Sequence, residues 1–298
     1  MNKPILFTGA ATALVTPFSE GKVDYAAFGK LIDRQLANAI DAVVVCGTTG
    51  ESATLTDGEK RDCIRFAVEK VGGRVPVIAG TGSNDTLHAL SLSRDAFSLG
   101  ADAVLLVTPY YNKATEKGMV ASFLKIAESV KKPCILYNVP SRTACGLTVG
   151  AYRELCKSEY IVATKEASGD VGLIARVAAE CGENLAIYSG NDDQILPILS
   201  LGGKGVISVL SNLLPRETHS IVEAWRIGRI GESSSLQLSL LDLISVLFSE
   251  VNPIPIKTAL AAMGLCSDEM RLPLCKMDEN KANALFAVMR RHGLLPES

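Results

Sequence analysis

The sequence predicts an α/β protein, a (β/α)8 barrel of the TIM type followed by a C-terminal helical extension. Three observations carry that expectation. Eight short apolar runs recur along the chain and begin roughly 20 to 35 residues apart, the spacing of βα units. Their content is continuous Val, Ile, Leu and Ala rather than strict alternation, as strands buried on both faces require. Amphipathic stretches fill the gaps, and eight such units suit a closed barrel better than an open sheet.

The expected strands span 10–15, 42–46, 76–79, 103–107, 134–137, 161–165, 185–188 and 205–209. After the first, Asp24 can cap a helix with Phe28, Leu31, Ile32 and Leu36 on one face. After the second, Thr56-Asp57-Gly58-Glu59 has the form of a capping box, opening a helix with Ile64, Val68 and Val71 inward. Beyond about residue 212 the alternation stops. Pro215 suits a helix start, and Leu236, Leu240, Leu243, Ile244 and Leu247 suggest a second helix. Two more are expected over 254–263 and 280–292, with Pro253, Gly264 and Pro273 as punctuation. The reading is a barrel over 1–212 and a helical extension over 213–298, packed on the barrel or on a neighbouring subunit.

The chain has 298 residues, enough for a sizeable core, with 48% hydrophobic and 21% charged residues. Net charge is −2 and no basic tract exists, so neither a nucleic acid nor an anionic membrane has electrostatic support as a partner. The apolar part of 1–7 is too short for a signal peptide, and no run reaches the length of a membrane span. Eight scattered cysteines without a Cys-x-x-Cys pair point to a reduced, cytoplasmic protein. His88, His219 and His292 fall in expected helices without ligand spacing, so no metal is expected.

Barrel enzymes place their chemistry at the carboxyl ends of the strands. Here those ends carry Thr16-Pro17, Gly47-Thr48-Thr49-Gly50-Glu51, Gly80-Thr81-Gly82, Thr108-Pro109-Tyr110-Tyr111-Asn112, Tyr137-Asn138, Lys165-Glu166, Ser189-Gly190-Asn191 and Ile207-Ser208. Lys165 closes a buried run. Burial disfavours a charged ammonium, and a neutral amine forms a Schiff base with a carbonyl substrate. The ordinary alternative is a strand-end lysine whose head reaches water. Tyr137 ends the preceding strand and is either a proton-transfer phenol or a ring filling the barrel mouth. Tyr110-Tyr111 is ambiguous in the same way.

The turn 47–50 can hold a carboxylate on backbone N–H groups and hydroxyls, or be a turn and nothing more. It is no phosphate loop, because Glu51-Ser52 follows, and Asp85 spoils Gly80-Thr81-Gly82 as a dinucleotide fingerprint. Arg142 is a carboxylate grip or a solvated loop cation. Glu166, next to Lys165 on a strand, should face the other way.

Several of these segments together resemble the dihydrodipicolinate synthase family of class I pyruvate aldolases, along essentially the whole chain. The matching runs are 47–52, 108–112, Leu136-Tyr137-Asn138-Val139-Pro140-Ser141-Arg142-Thr143, Lys165-Glu166-Ala167, 202–208 and Asn252-Pro253-Ile254-Pro255-Ile256-Lys257. The resemblance implies condensation of pyruvate with L-aspartate 4-semialdehyde, opening the diaminopimelate and lysine branch without an organic cofactor. It implies Lys165 as the Schiff-base residue and Tyr137 as acid/base, in a relay with Thr48 and with Tyr111 supplied by a neighbouring subunit. It implies Thr49 holding the pyruvate carboxylate, Gly190 and the Ile207 main chain near bound substrate, and Arg142 receiving the semialdehyde carboxylate. The implied assembly is a homotetramer of two tight dimers.

Three departures from the family pattern stand out. His88, Asp57 and Lys60 replace the acidic residue and histidines used for lysine inhibition in some members, although Asn84 and Tyr110 remain, so weak or absent inhibition is expected. Ala144 stands where glycine is usual, and Asn191 where aspartate is common. The competing readings are a relative such as N-acetylneuraminate lyase or a 2-keto-3-deoxy sugar acid aldolase, and a non-catalytic keto-acid-binding protein.

Overall fold

Ten strands and thirteen α-helices are described in a computed structural model covering residues 3–297. Met1, Asn2 and Ser298, the ends of the expected N- and C-terminal segments, lie outside the described residues. The strands are β1 (Gly9–Ala13), β2 (Phe18–Ser19), β3 (Lys22–Val23), β4 (Ala42–Val45), β5 (Val77–Gly80), β6 (Ala103–Val107), β7 (Cys134–Asn138), β8 (Ile161–Glu166), β9 (Ala186–Ser189) and β10 (Gly205–Ser208). All but β2 and β3 form a closed barrel in the order β1-β10-β9-β8-β7-β6-β5-β4, every pair parallel. The eight expected strands are therefore present, with ends shifted by a residue or two. The antiparallel hairpin β2–β3 was not expected; its strands are only two residues long, too short to show a period.

Parallel strands need crossover helices, and these form a ring outside the barrel. They are α1 (Tyr25–Ala37), α2 (Asp57–Val71), α3 (Thr86–Ser98), α4 (Glu116–Val130), α6 (Val149–Leu155), α7 (Val171–Cys181), α8 (Ile195–Ser200) and α9 (Pro215–Arg226), each packed on the next. A short α5 (Pro140–Thr143) precedes α6. Asp24 caps α1 by accepting from the Ala27 amide, and Thr56 and Glu59 form the reciprocal capping box of α2. Leu36 and Val68, expected inward, are only half-buried, whereas Gln35 and Ala67 are buried. α9 packs on β1 and against α8 as the ring's eighth helix, although it lies just beyond the expected division at residue 212.

The C-terminal segment continues with α10 (Ile230–Ser239), α11 (Leu241–Leu247), α12 (Ile254–Ala262) and α13 (Glu279–Arg291). The leucines of 236–247 belong to two helices broken at Leu240, not to one. α11 packs on the turn 192–194 after β9, and α12 on the turn 210–212 after β10. The extension thereby covers the barrel end where the strands finish. At the opposite end Phe7 closes the interior: its ring stacks on Tyr188 at 4.2 Å, and the Tyr188 hydroxyl donates to its carbonyl at 2.7 Å.

All eight cysteines are free thiols. Among the described residues no helix is long and apolar enough to cross a membrane, and no cluster of three metal-ligating side chains occurs. Each histidine faces a carboxylate instead: His88 with Asp57 at 3.0 Å, His219 with Asp41 at 2.7 Å and His292 with Asp242 at 2.7 Å. Those pairings were not legible from spacing.

Candidate active site

Register decides which side chains meet. Tyr137 on β7 is directly opposite Lys165 on β8, and Asn138 is opposite Glu166. Successive strand residues alternate faces, so one pair points into the barrel and the other outward. Tyr137 sits in the interior cluster with Ile135, Ala163 and Ile207. The Lys165 Nζ lies 4.5 Å from the centre of its ring, and Lys165 is 5% exposed.

The outward pair holds these two in place. Asn138 Nδ2 donates to Glu166 Oε1 at 2.9 Å, Ser168 Oγ donates to Oε2 at 2.7 Å, and the fully buried Tyr152 of α6 donates its hydroxyl to Oε1. Asn138 Oδ1 accepts from the Leu147 amide at 3.0 Å, tying in the loop after α5. Burial pushes the Glu166 carboxyl up from its ordinary value, against these hydrogen bonds. As expected, Glu166 does not face the site.

Gly190, beyond β9, packs onto the nucleophile candidate. A Cβ there would fall 2.7 Å from Ala167 Cβ and 3.1 Å from Lys165 Cε. Its amide donates to the Glu166 carbonyl at 2.6 Å. The interior Ile207, at the end of β10, is fully buried.

A cavity of about 710 Å³ opens above Tyr137. Thr48, Arg142, Thr143 and Asn252 line it around the ring. Ser52, Asp57, Lys60, Asn84, His88 and Tyr110 also line it. There the Asp57 carboxylate is held below its ordinary value, chiefly by His88 and also by Lys60. A carboxylate already engaged by two basic side chains is a poor partner for an added ammonium.

The turn 47–50 is built tightly. The Glu51 amide donates to the Thr48 carbonyl at 3.1 Å, and Thr16 Oγ1 donates to the Gly50 carbonyl at 2.7 Å. Thr49 Oγ1 accepts from Asn252 Nδ2 at 2.9 Å, and the Asn252 carbonyl accepts from Arg142 Nη2 at 3.3 Å. One residue of the extension thus joins the turn 47–50 to the guanidinium. Nothing in the local sequence marks Asn252 as a site residue, although it heads the motif 252–257.

Behind the turn, Glu51 is paired with Lys257 of α12 at 2.6 Å, both side chains fully buried. Tyr111 is different: it is 88% exposed, has φ 73°, and does not line the cavity. Within one chain it is not brought to Thr48 and Tyr137.

Ala144 has φ 56°, so the residue ending α5 does take the left-handed conformation. Alanine is strained there. Ala144→Gly is expected to stabilise the protein by about 0.5–1 kcal/mol after the glycine's extra unfolded-state entropy is subtracted. Calorimetry should show a higher melting temperature with turnover retained; an unchanged or lower value would refute the strain.

A family model described as the dihydrodipicolinate synthetase family matches residues 6–292. A 4-hydroxy-tetrahydrodipicolinate synthase from Lachnoclostridium phytofermentans is 52% identical over 292 residues, covering 97% of this chain and 99% of its own. A crystal structure of dihydrodipicolinate synthase from Aquifex aeolicus has a TM-score of 0.96 at 43% identity, covering 98% of this chain and 100% of its own. The structure of a monomeric dihydrodipicolinate synthase variant has a TM-score of 0.96 at 37% identity, covering 97% of this chain and 98% of its own.

Proposed function

The chain belongs to the dihydrodipicolinate synthetase family, and on that premise we propose that it condenses pyruvate with L-aspartate 4-semialdehyde to 4-hydroxy-tetrahydrodipicolinate. The observation that carries this reading is the pair Lys165 and Tyr137, facing inward on adjacent strands with the lysine nitrogen 4.5 Å from the phenol ring that lines the cavity.

Lys165 Nζ attacks the pyruvate carbonyl carbon, and the carbinolamine loses water to an iminium cation. The cation is the electron sink. Loss of a methyl proton gives an enamine, whose methylene carbon attacks the aldehyde; the new alkoxide is protonated. The semialdehyde's amine then adds to the imine carbon, closes the ring and releases Lys165. Every electron pair stays within substrates and lysine, so the chemistry calls for no organic cofactor.

Tyr137 is assigned as proton carrier for carbinolamine formation and breakdown, with Thr48 continuing the relay. Tyr111 completes the relay from a second copy of the chain, a role supported by its exposure and distance from its own cavity. That reading needs at least a dimer, and two tight dimers make the proposed homotetramer. Thr49 receives the pyruvate carboxylate, with Gly190 and the Ile207 main chain flanking it. Eight free thiols support a reducing, cytoplasmic setting.

The rival sugar-acid aldolases share lysine, tyrosine and pyruvate, so the second substrate must decide. Arg142, exposed at the cavity rim, suits a carboxylate better than a neutral polyol. A coupled assay should show turnover with the semialdehyde and none with N-acetylneuraminate. Arg142→Ala should lower kcat/KM for the semialdehyde by roughly 10- to 100-fold, leaving borohydride trapping of pyruvate nearly unchanged. Equal loss of both steps would remove Arg142 from its assigned role.

A further inference from the structure

Asn252 stands in the segment between α11 and α12, is 6% exposed, and lines the cavity with Thr48 and Arg142. Its side chain makes one hydrogen bond among the described residues: Nδ2 donates to Thr49 Oγ1 at 2.9 Å. Its Oδ1 is buried and has no partner among them. Its main-chain carbonyl separately accepts from Arg142 Nη2 at 3.3 Å. Side chain and main chain thus reach different residues, one for each carboxylate of the proposed reaction.

A buried oxygen without a donor costs stability, so a tether to the turn 47–50 is an incomplete account of this carboxamide. Its effect on Thr49 supplies the rest. A hydroxyl has one proton and two lone pairs. With Nδ2 on one lone pair, the Thr49 proton must point away from Asn252. Thr49 is 2% exposed, and among the described residues its hydroxyl donates to nothing. It is left as a donor awaiting an acceptor, strengthened by the bond it receives. A carboxylate gains most from such a donor.

We infer that Asn252 is a positioning residue for pyruvate: its carboxamide holds the Thr49 hydroxyl as a donor to the substrate carboxylate. The inference rests on the reading above in which Thr49 receives that group. No bond forms or breaks at Asn252; it acts by presenting a donor already aimed, so that pyruvate does not have to reorient it. Arg142 is held by the main-chain carbonyl, which every residue type possesses. Replacing the side chain should therefore disturb pyruvate and spare the semialdehyde.

Asn252→Asp keeps the shape but replaces the donor by an acceptor. The Thr49 proton then turns to residue 252 and away from the substrate, so kcat/KM for pyruvate should fall by about 30-fold. Asn252→Ala frees the hydroxyl without capturing it and should lose about fivefold. In both variants kcat/KM for the semialdehyde should stay within about twofold of wild type. A residue that served the fold alone would lower both values together. Asn252→Asp with wild-type kcat/KM for pyruvate would show that Thr49 is the donor in this pair and overturn the inference, as would equal losses for the two substrates.

Should the aspartate variant not fold, a double-mutant cycle with Thr49→Val decides. Thr49→Val alone should lower kcat/KM for pyruvate, and adding Asn252→Ala should lower it by no more than a further factor of about two, because the carboxamide acts through the hydroxyl. Full additivity of the two losses would overturn the inference. Thr49→Val with wild-type kcat/KM for pyruvate would overturn it together with the role given to Thr49. Borohydride trapping keeps these outcomes apart from the mechanism itself: only the absence of a Lys165 adduct in wild-type enzyme would defeat the Schiff-base reading, and the inference with it.

Discussion

Lys165→Ala is expected to leave a folded barrel that forms no borohydride-stable pyruvate adduct and turns over at least ~10³-fold more slowly. In the proposed mechanism pyruvate's methyl carbon becomes a nucleophile only through the enamine, and the enamine is assigned to the Lys165 amine. Lys165→Arg should be equally inactive: it keeps a cation beneath Tyr137, but a guanidinium stays protonated and is no nucleophile. Comparing the two variants separates charge from nucleophilicity. The other deeply buried lysine, Lys257, is held in an ion pair with Glu51 and also donates to the Glu269 carbonyl at 2.6 Å. Peptide mapping of reduced wild-type protein should therefore find the pyruvyl mass on Lys165 alone. An adduct on another lysine, or trapping by Lys165→Ala, would sink the mechanism.

The parts of this fold legible in the sequence are those written in one local stretch. A buried parallel strand announces itself by a continuous apolar run, so 42–46 and 161–165 could be read directly. The Thr56–Glu59 capping box is likewise complete within four residues. The two-residue strands β2 and β3 have no room for a pattern. Helices α10 and α11 share a leucine periodicity that runs through the break at Leu240, so pattern alone fuses them.

The candidate site divides along the same line. Lys165 and Tyr137 were legible because each lies at the carboxyl end of an apolar run, one residue before its strand finishes, and parallel register then sets them opposite one another. Partners brought from distant segments were not. Asn252 reaches Thr49 across 203 positions, and Gln237 reaches Asp192 across 45. The histidines show the same limit: His219 and Asp41 are 178 residues apart, and only folding pairs them. Side-chain polarity tells what a residue can do, whereas the tertiary fold decides whom it meets.

Lys257→Met is expected to cost about 3–5 kcal/mol of stability, the largest structural effect of any substitution considered. The site of Glu51 is the reason. Its side chain has no exposure, its φ is 53°, and it follows directly on the Thr48-Thr49-Gly50 turn. Among the described residues, only the Arg271 amide at 3.2 Å serves its carboxylate besides Lys257. Burial already holds the Lys257 ammonium below its ordinary value despite Glu51, so desolvation consumes much of the attraction. Removing one partner leaves that desolvation in place with nothing to offset it. The melting temperature should fall by roughly 10 °C, and pyruvate affinity should weaken because the turn 47–50, proposed to receive the pyruvate carboxylate, loses its support. The double variant Glu51→Gln with Lys257→Met separates charge from packing. It leaves no buried charge and should recover most of the lost stability, as replaced ion pairs often do. If the double variant is no more stable than Lys257→Met, the loss lies in Lys257's packing on Phe18, 4.3 Å from its Nζ, and not in the stranded carboxylate.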